Sequence, residues 1–349
     1  MPDAFILVEI FIITIHIVSM RKRITKIVLG VVGALIAFIG LGLTYVKVAL
    51  PNVGPAPSLT VQATAAQIEH GRYLANSVAS CMDCHSTRDI SKLAGPMVPG
   101  TAGKGGEKFS REMGFPGNYY ASNLTPTHLG NWTDGEIYRA ITTGVSRDGH
   151  ALFPVMPYLN YAQMDPADIK DIIAYLRTLQ PIPNTILDAE PDFPMNFIIN
   201  TIPAQGEAGK RPDSTDQIAY GKYVTTFAAC ADCHTPVDSQ GKALPGMDMA
   251  GGRAFPIPAG TVRSMNITPD SSGIGSWTKT AFVSRFRAYA GVNQPTVQPD
   301  EFNTLMPWTM YAQMSDKDLG AIYDYLRTLK PVKNSVVRFT PNTKIVATR

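Results

Sequence analysis

An all-α fold is predicted for this chain, arranged as two tandem domains behind an N-terminal apolar helix. Three observations predict it. Helix caps recur at matching places in the two halves of the 349 residues. No stretch shows the alternation of a half-buried strand. An uninterrupted apolar run from Ile27 to Val46 stands near the N-terminus.

The elements follow in chain order. Phe5 to Val18 is apolar but carries Glu9 and His16. Met20-Arg21-Lys22-Arg23 reads as the opening of an exported protein, so Met20 is taken as the start. Ile27–Val46 is long enough to span a bilayer, which takes ~20 residues as a helix. Arg21, Lys22, Arg23 and Lys26 precede it and put the N-terminal side in the cytoplasm. A cleavable signal has a shorter core and a small-x-small site, and Tyr45-Val46-Lys47 offers none, so the run is read as an uncleaved anchor. Residues 51–60, rich in proline, form a tether.

Thr64 with Gln67 makes a capping box, as does Ser214 with Gln217. Thr133 with Glu136 is an acidic analogue that opens a middle helix. Asp165-Pro166 supplies an N-cap and first-turn proline. Ile169, Ile172, Ile173 and Leu176 then fall on one helix face, and Leu319, Ile322, Tyr323 and Leu326 repeat that face. Pro181, Pro183, Pro191, Pro194 and Pro203 argue against a regular helix between the halves. Phe197-Ile198-Ile199 is expected to pack across the domain boundary. The boundaries are 1–50 for the N-terminal segment and anchor, 60–184 for domain 1, 185–213 for the linker and 214–340 for domain 2.

An internal repeat ties the halves together. Gln67, Gly71, Tyr73, Cys81, Cys84 and His85 correspond to Gln217, Gly221, Tyr223, Cys230, Cys233 and His234. Met156-Pro157 recurs as Met306-Pro307, Tyr161–Met164 as Tyr311–Met314, and Tyr175–Leu179 as Tyr325–Leu329. The repeat is too long for a solenoid unit and fits a duplicated domain.

Cys81-Met82-Asp83-Cys84-His85 and Cys230-Ala231-Asp232-Cys233-His234 are both C-x-x-C-H, the attachment pattern of c-type haem. The thiols add to the haem vinyl groups, and the following histidine binds iron from one side. The motifs use all four cysteines, leaving none for a disulfide or a nucleophile. Structural zinc needs two such pairs close together. A thioredoxin-like pair does not explain a trailing histidine twice. Two covalently bound haem c groups are therefore expected. The net charge of +3 gives no reason to expect nucleic acid.

Each half resembles a class I cytochrome c domain, and more closely the domains of cytochrome c subunits of membrane-bound alcohol and gluconate dehydrogenases. The residues that carry this are Asn123-Leu124-Thr125-Pro126 with Asn131-Trp132-Thr133, and Asn266-Ile267-Thr268-Pro269 with Ser276-Trp277-Thr278. Gly144-Val145, Asp148-Gly149 and Phe153-Pro154-Val155-Met156-Pro157-Tyr158 continue it. The similarity covers roughly 64–184 and 214–334. Those subunits typically carry three haem domains, whereas this chain has two.

The resemblance implies a methionine as sixth ligand, in a loop before the last helix. Met156 and Met306 fit, each followed by a proline that stiffens the loop. Met164 and Met314 precede helix caps and are given a packing role. The second half contains no histidine besides His234, so bis-histidine ligation is unavailable there; His70, His128 and His150 are read as surface or loop residues. The expected axial ligands are thus His85, Met156, His234 and Met306. Thioether ligation raises a haem's potential over two imidazoles.

Trp132 and Trp277 are either core packing or donors to a haem propionate. Asn123 and Asn266 either order their loop or touch a propionate. Gly71 and Gly221, opposite Tyr175 and Tyr325, mark a close helix crossing. Asp83 and Asp232 are expected to be solvated.

The expected function is a membrane-anchored carrier on the periplasmic face of the bacterial cytoplasmic membrane. It would move electrons from a dehydrogenase or quinol donor to a terminal acceptor such as an oxidase, and would not itself be an enzyme. The alternative is a dihaem peroxidase-like enzyme with one open iron, against which the paired Met-Pro loops argue.

Overall fold

The structure is a computed structural model that describes residues 3–239, 241–291 and 293–342. The chain divides after Leu50 into two compact units. The first is dominated by helix α1, Asp3–Val48. Its stretch Phe11–Val48 is long and apolar enough to cross a membrane by length and composition.

The second unit is built mainly from helices. In its first half these are α2 (Ala65–Tyr73), α3 (Cys81–Cys84), α4 (Pro126–Leu129), α5 (Asp134–Thr143), α6 (Tyr158–Tyr161) and α7 (Pro166–Leu176). The one-turn α8 (Met195–Ile198) follows. The second half has α9 (Gln217–Phe227), α10 (Cys230–His234), α11 (Lys279–Arg287), α12 (Trp308–Tyr311) and α13 (Asp316–Thr328). The order of motif helix, middle helix, short helix after Met-Pro and last helix is the same twice.

The caps behave as the sequence predicts at three of four places. Thr64 and Thr133 close reciprocal capping boxes, and Asp165 accepts from Ala167 N with Pro166 in the first turn. Ser214 is not a cap. Asp216 caps α9 by accepting from Ala219 N at 3.0 Å, because Asp213 and Thr215 take up the preceding turn.

The helical class holds, but two small sheets depart from the expectation of no strands. β1 (Lys108–Phe109), β2 (Gly117–Tyr120) and β3 (Glu190–Pro191) form one antiparallel sheet, with Lys108 opposite Tyr120 and Gly117 opposite Pro191. β4 (Ala254–Ile257), β5 (Gly260–Arg263) and β6 (Phe339–Pro341) form the other, with Ala254 opposite Arg263 and Val262 opposite Phe339. The segment between the halves supplies β3. Its Ile199 is buried with Tyr119 and Ala151, so this apolar patch docks on the first half and not across a boundary.

Each half is organised around one close crossing. A Cβ on Gly71 would lie 1.8 Å from the carbonyl oxygen of Asp171, and one on Gly221 would lie 2.0 Å from that of Ala321. Gly71 thus meets the backbone of α7 first, and for Gly221 Tyr325 Cβ is a third neighbour at 3.0 Å. Ile169, Ile172, Ile173 and Leu176 are buried beneath the first crossing, and Leu319, Ile322 and Leu326 beneath the second.

The halves then exchange hydrogen bonds with near two-fold symmetry. Tyr73 donates its hydroxyl to Asp318 and accepts from Ser315 N at 2.9 Å. Tyr223 donates to Asp168 at 2.5 Å and accepts from Asp165 N at 3.0 Å. Each tyrosine thus reaches the start of the other half's last helix. Burial, with Asp318 adding to it, pushes the Tyr73 hydroxyl up to about 12. One continuous core runs through both halves, joined where Tyr161 packs edge-on against Phe227.

Two outcomes are expected. Gly71→Ala and Gly221→Ala each lower stability by about 3 kcal/mol, read by denaturant unfolding, because a backbone carbonyl cannot yield like a side chain. A tyrosine pKa raised on folding contributes stability that is complete below its unfolded value of about 10 and is lost as pH rises towards the folded value. Unfolding temperature should therefore be level up to about pH 10 and then fall, more shallowly in Tyr73→Phe, Tyr223→Phe.

Candidate functional site

The two C-x-x-C-H motifs are built the same way. Ser80 and Ala229, immediately before Cys81 and Cys230, are both left-handed with φ of 51°. That conformation is costly for a residue with a Cβ. It turns the chain sharply from the preceding helix into α3 or α10 and puts both cysteines on about one helical turn. Each turn is tied from the far side of the core. Tyr161 donates to Ala79 O at 2.8 Å, and Tyr311 donates to Ala228 O at 2.6 Å.

The histidines that close the motifs are held alike. His85 Nδ1 lies 2.7 Å from Ser122 O, and His234 Nδ1 lies 2.7 Å from Met265 O. A carbonyl can only accept, so Nδ1 carries the proton and Nε2 keeps its lone pair for a metal. Burial pulls both histidine pKa values down, which keeps the rings neutral.

Asn123 and Asn266 secure the segments that supply those carbonyls. Asn123 Oδ1 accepts from Thr125 N and Oγ1, and its Nδ2 donates to Ile182 O at 2.8 Å. Asn266 makes the same bonds to Thr268 and to Val332 O at 2.8 Å. Both are buried, so of the two roles open to them these residues order the loop.

Met156 and Met306 are half-buried beside the core, in loops of matching conformation. Pro157 has φ and ψ of −78° and 54°, and Pro307 has −75° and 59°. Met164 and Met314 are 2% and 1% exposed and pack in the core, as expected. His150 is exposed and pairs with Asp148. His70 pairs with Asp171 at 2.8 Å. Trp132 and Trp277 pack against the core.

The four cysteines form no disulfide with one another. Burial pushes the Cys81, Cys84 and Cys230 thiols up to about 12, so none of the three is an activated nucleophile.

Asp83 corrects an expectation. It is buried, pairs with Arg88 at 3.2 Å, and leaves its second oxygen without a partner. Burial drives its carboxyl pKa up despite the guanidinium. Asp232 is exposed and accepts from Asn160 Nδ2 at 3.0 Å. Sequence reading also missed the tyrosine exchange between the halves. Its signal was the pairing of Tyr73 with Tyr223 and of Asp168 with Asp318 in the repeat.

Residues 218–330 match the cytochrome c sequence family. The gluconate 2-dehydrogenase cytochrome c subunit of Pantoea cypripedii is 28% identical over 81% of this chain and 64% of its own length. The fructose dehydrogenase cytochrome subunit of Gluconobacter japonicus is 30% identical over 82% of this chain and 58% of its own. A "Diheme cytochrome c-type" protein of Cereibacter sphaeroides is 26% identical over 72% of this chain and 83% of its own. The chain spans about six-tenths of the length of the first two relatives. The resemblance to cytochrome c subunits of dehydrogenases is thus borne out, and the group to test against these residues is covalent haem c.

The residues fit that group. In each half two cysteines sit one helical turn apart, and the adjoining imidazole is already pinned through Nδ1 with Nε2 left for iron. An outer-shell bond of this kind fixes the ring and raises its basicity as a ligand. Asn123→Ala and Asn266→Ala should each cost about 1–3 kcal/mol, since each leaves buried loop groups without a partner. Denaturant unfolding of the two variants measures it.

Proposed function

We propose that this chain is a membrane-anchored carrier with two haem domains, 60–184 and 214–340, one covalent haem c in each. Cys81 and Cys84 would hold the first haem and Cys230 and Cys233 the second. His85 and Met156 would ligate the first iron, His234 and Met306 the second. The observation that carries this reading is the duplicated geometry: the same imidazole-to-carbonyl bond and the same Met-Pro loop conformation in both halves. The haem irons supply a one-electron couple. The chain would bind them, fix the imidazoles and pack Cys81 and Cys230 against the apolar core.

Ile27–Val46 lies within α1 and follows a basic cluster, which supports an anchor with the remaining residues on the periplasmic side of a bacterial cytoplasmic membrane. The relatives are named as subunits of gluconate and fructose dehydrogenases. Their names support a dehydrogenase-type donor, with an oxidase or quinol-linked complex elsewhere in the chain of carriers. A dihaem peroxidase-like enzyme is the weaker reading, because it needs one iron without a protein ligand on one face and both halves present the same methionine loop.

The alkaline pyridine haemochrome spectrum should give two haems per chain. The dithionite-reduced spectrum should not change on adding carbon monoxide. Met156→Ala or Met306→Ala should each open one iron and produce a carbonyl shift of about half the total haem. A carbonyl shift in the unaltered protein would favour the peroxidase-like reading.

A further inference from the structure

The two attachment motifs are alike in chemistry and unlike in cover. Met82 and Asp83 are 0% and 5% exposed. Their counterparts Ala231 and Asp232 are exposed, and Cys233 is exposed where Cys84 is half-buried.

The loop that closes over the first motif is held in place by the second half. Arg88 reaches back to Asp83 and to Gly95 O, closing the loop that follows the motif. That loop is gripped by residues 295–303. Leu93 N donates to Pro295 O, Val297 N donates to Ser91 O, and Asn303 takes Ala94 N and gives to Ile90 O and Lys92 O. Behind the grip, Trp308 stacks on Tyr289, and both pack on Leu93 and Ala94.

Among the described residues, the loop after the second motif is not gripped from the other half, and Arg253 reaches the motif only at Asp232 O. Val237 bridges Ala243 of its own turn, and Asp238, Ser239 and residues 241–246 are exposed. Asn160 of the first half bonds Asp232 but leaves it exposed.

We propose that the haem joined to Cys230 and Cys233 is the one that exchanges electrons with agents outside the chain, and that the haem joined to Cys81 and Cys84 is served through it. This rests on the two-haem reading above. Outer-sphere transfer falls off steeply with the thickness of protein between donor and haem, so the exposed motif carries the external exchange. With hexaammineruthenium(II) as donor, one electron passes to ferric iron; ruthenium becomes Ru(III), iron becomes Fe(II), and no bond or proton moves.

The test uses charge placed at exposed positions of the full-length, haem-loaded chain. Ala231→Glu and Leu244→Glu lie on or beside the second motif. Ile90→Glu, at a position 73% exposed, lies on the loop that covers the first. At low salt a local negative charge speeds a cationic reagent and slows an anionic one. The first two variants should change reduction by hexaammineruthenium(II) upward and oxidation by hexacyanoferrate(III) downward by about three-fold, with Ile90→Glu near the unaltered rate. The proposal is overturned if Ile90→Glu shifts the rates as much, or if none of the three does.

A second readout needs no turnover. An aqueous gadolinium chelate should enhance relaxation of one ferric haem EPR signal far more than the other. That signal should be the one altered in Met306→His. Equal enhancement, or enhancement of the signal altered in Met156→His, also overturns the assignment. Failure of the two-haem reading shows separately, as fewer than two haems per chain in the haemochrome spectrum.

Discussion

Everything in each half hangs on a helix crossing that leaves no space for one carbon atom. Gly71 meets the Asp171 carbonyl, and Gly221 meets that of Ala321, at distances a Cβ could not survive. The approach brings the first and last helices to backbone contact. It buries the apolar face of the last helix and anchors the helix that leads into the motif. From there the chain turns through a left-handed residue into the cysteine pair. The tyrosine that follows each Met-Pro loop then ties that turn from the opposite side. Cysteine pair, histidine and methionine loop are thus placed by one contact between backbones.

The same crossings set up the joint between the halves. Asp168 and Asp318 lie in the first turns of the last helices, and both are buried. A buried carboxylate is tolerable only with hydrogen bonds to satisfy it. Tyr223 and Arg211 serve Asp168, while Tyr73 and Tyr220 serve Asp318. Two of these tyrosines come from the opposite half. The polar groups at the joint are therefore satisfied only when both halves are present in this arrangement, which explains why everything after Leu50 forms one compact unit.

Much of this was legible in the sequence, for physical reasons. Thr64, Thr133 and Asp165 act locally, so their caps could be read from spacing. The apolar faces of the last helices follow helical periodicity. The strands were not legible, since each is two to four residues long and pairs with partners as remote as Gly117 with Pro191 or Val262 with Phe339. No alternation can develop over so short a span. Ser214 and Asp216 are both good caps in isolation, and only the preceding turn at Asp213 decides between them. Cys81 to His85 announce their chemistry, but the role of Ser122 and Met265 comes from main-chain oxygens, to which any residue type is equivalent.

Asp83 and Asp232 show how a duplicated domain diverges. The two motifs are nearly identical in sequence, so their difference in burial arises elsewhere. The interval from Thr278 to Met306 is longer than that from Thr133 to Met156, and the longer segment carries Pro295, Val297 and Asn303 to the first half's loop. In the first half the corresponding stretch, with Ala151 and Phe153, is occupied by Ile199 of the connecting segment. Contacts that hold the histidine are inside each half and are duplicated faithfully. Contacts that hold the loop over the motif run between halves, where one connecting segment cannot serve both copies alike. A single chain that repeats a domain must therefore break the symmetry at its connection, and here the break falls on the cover over one motif.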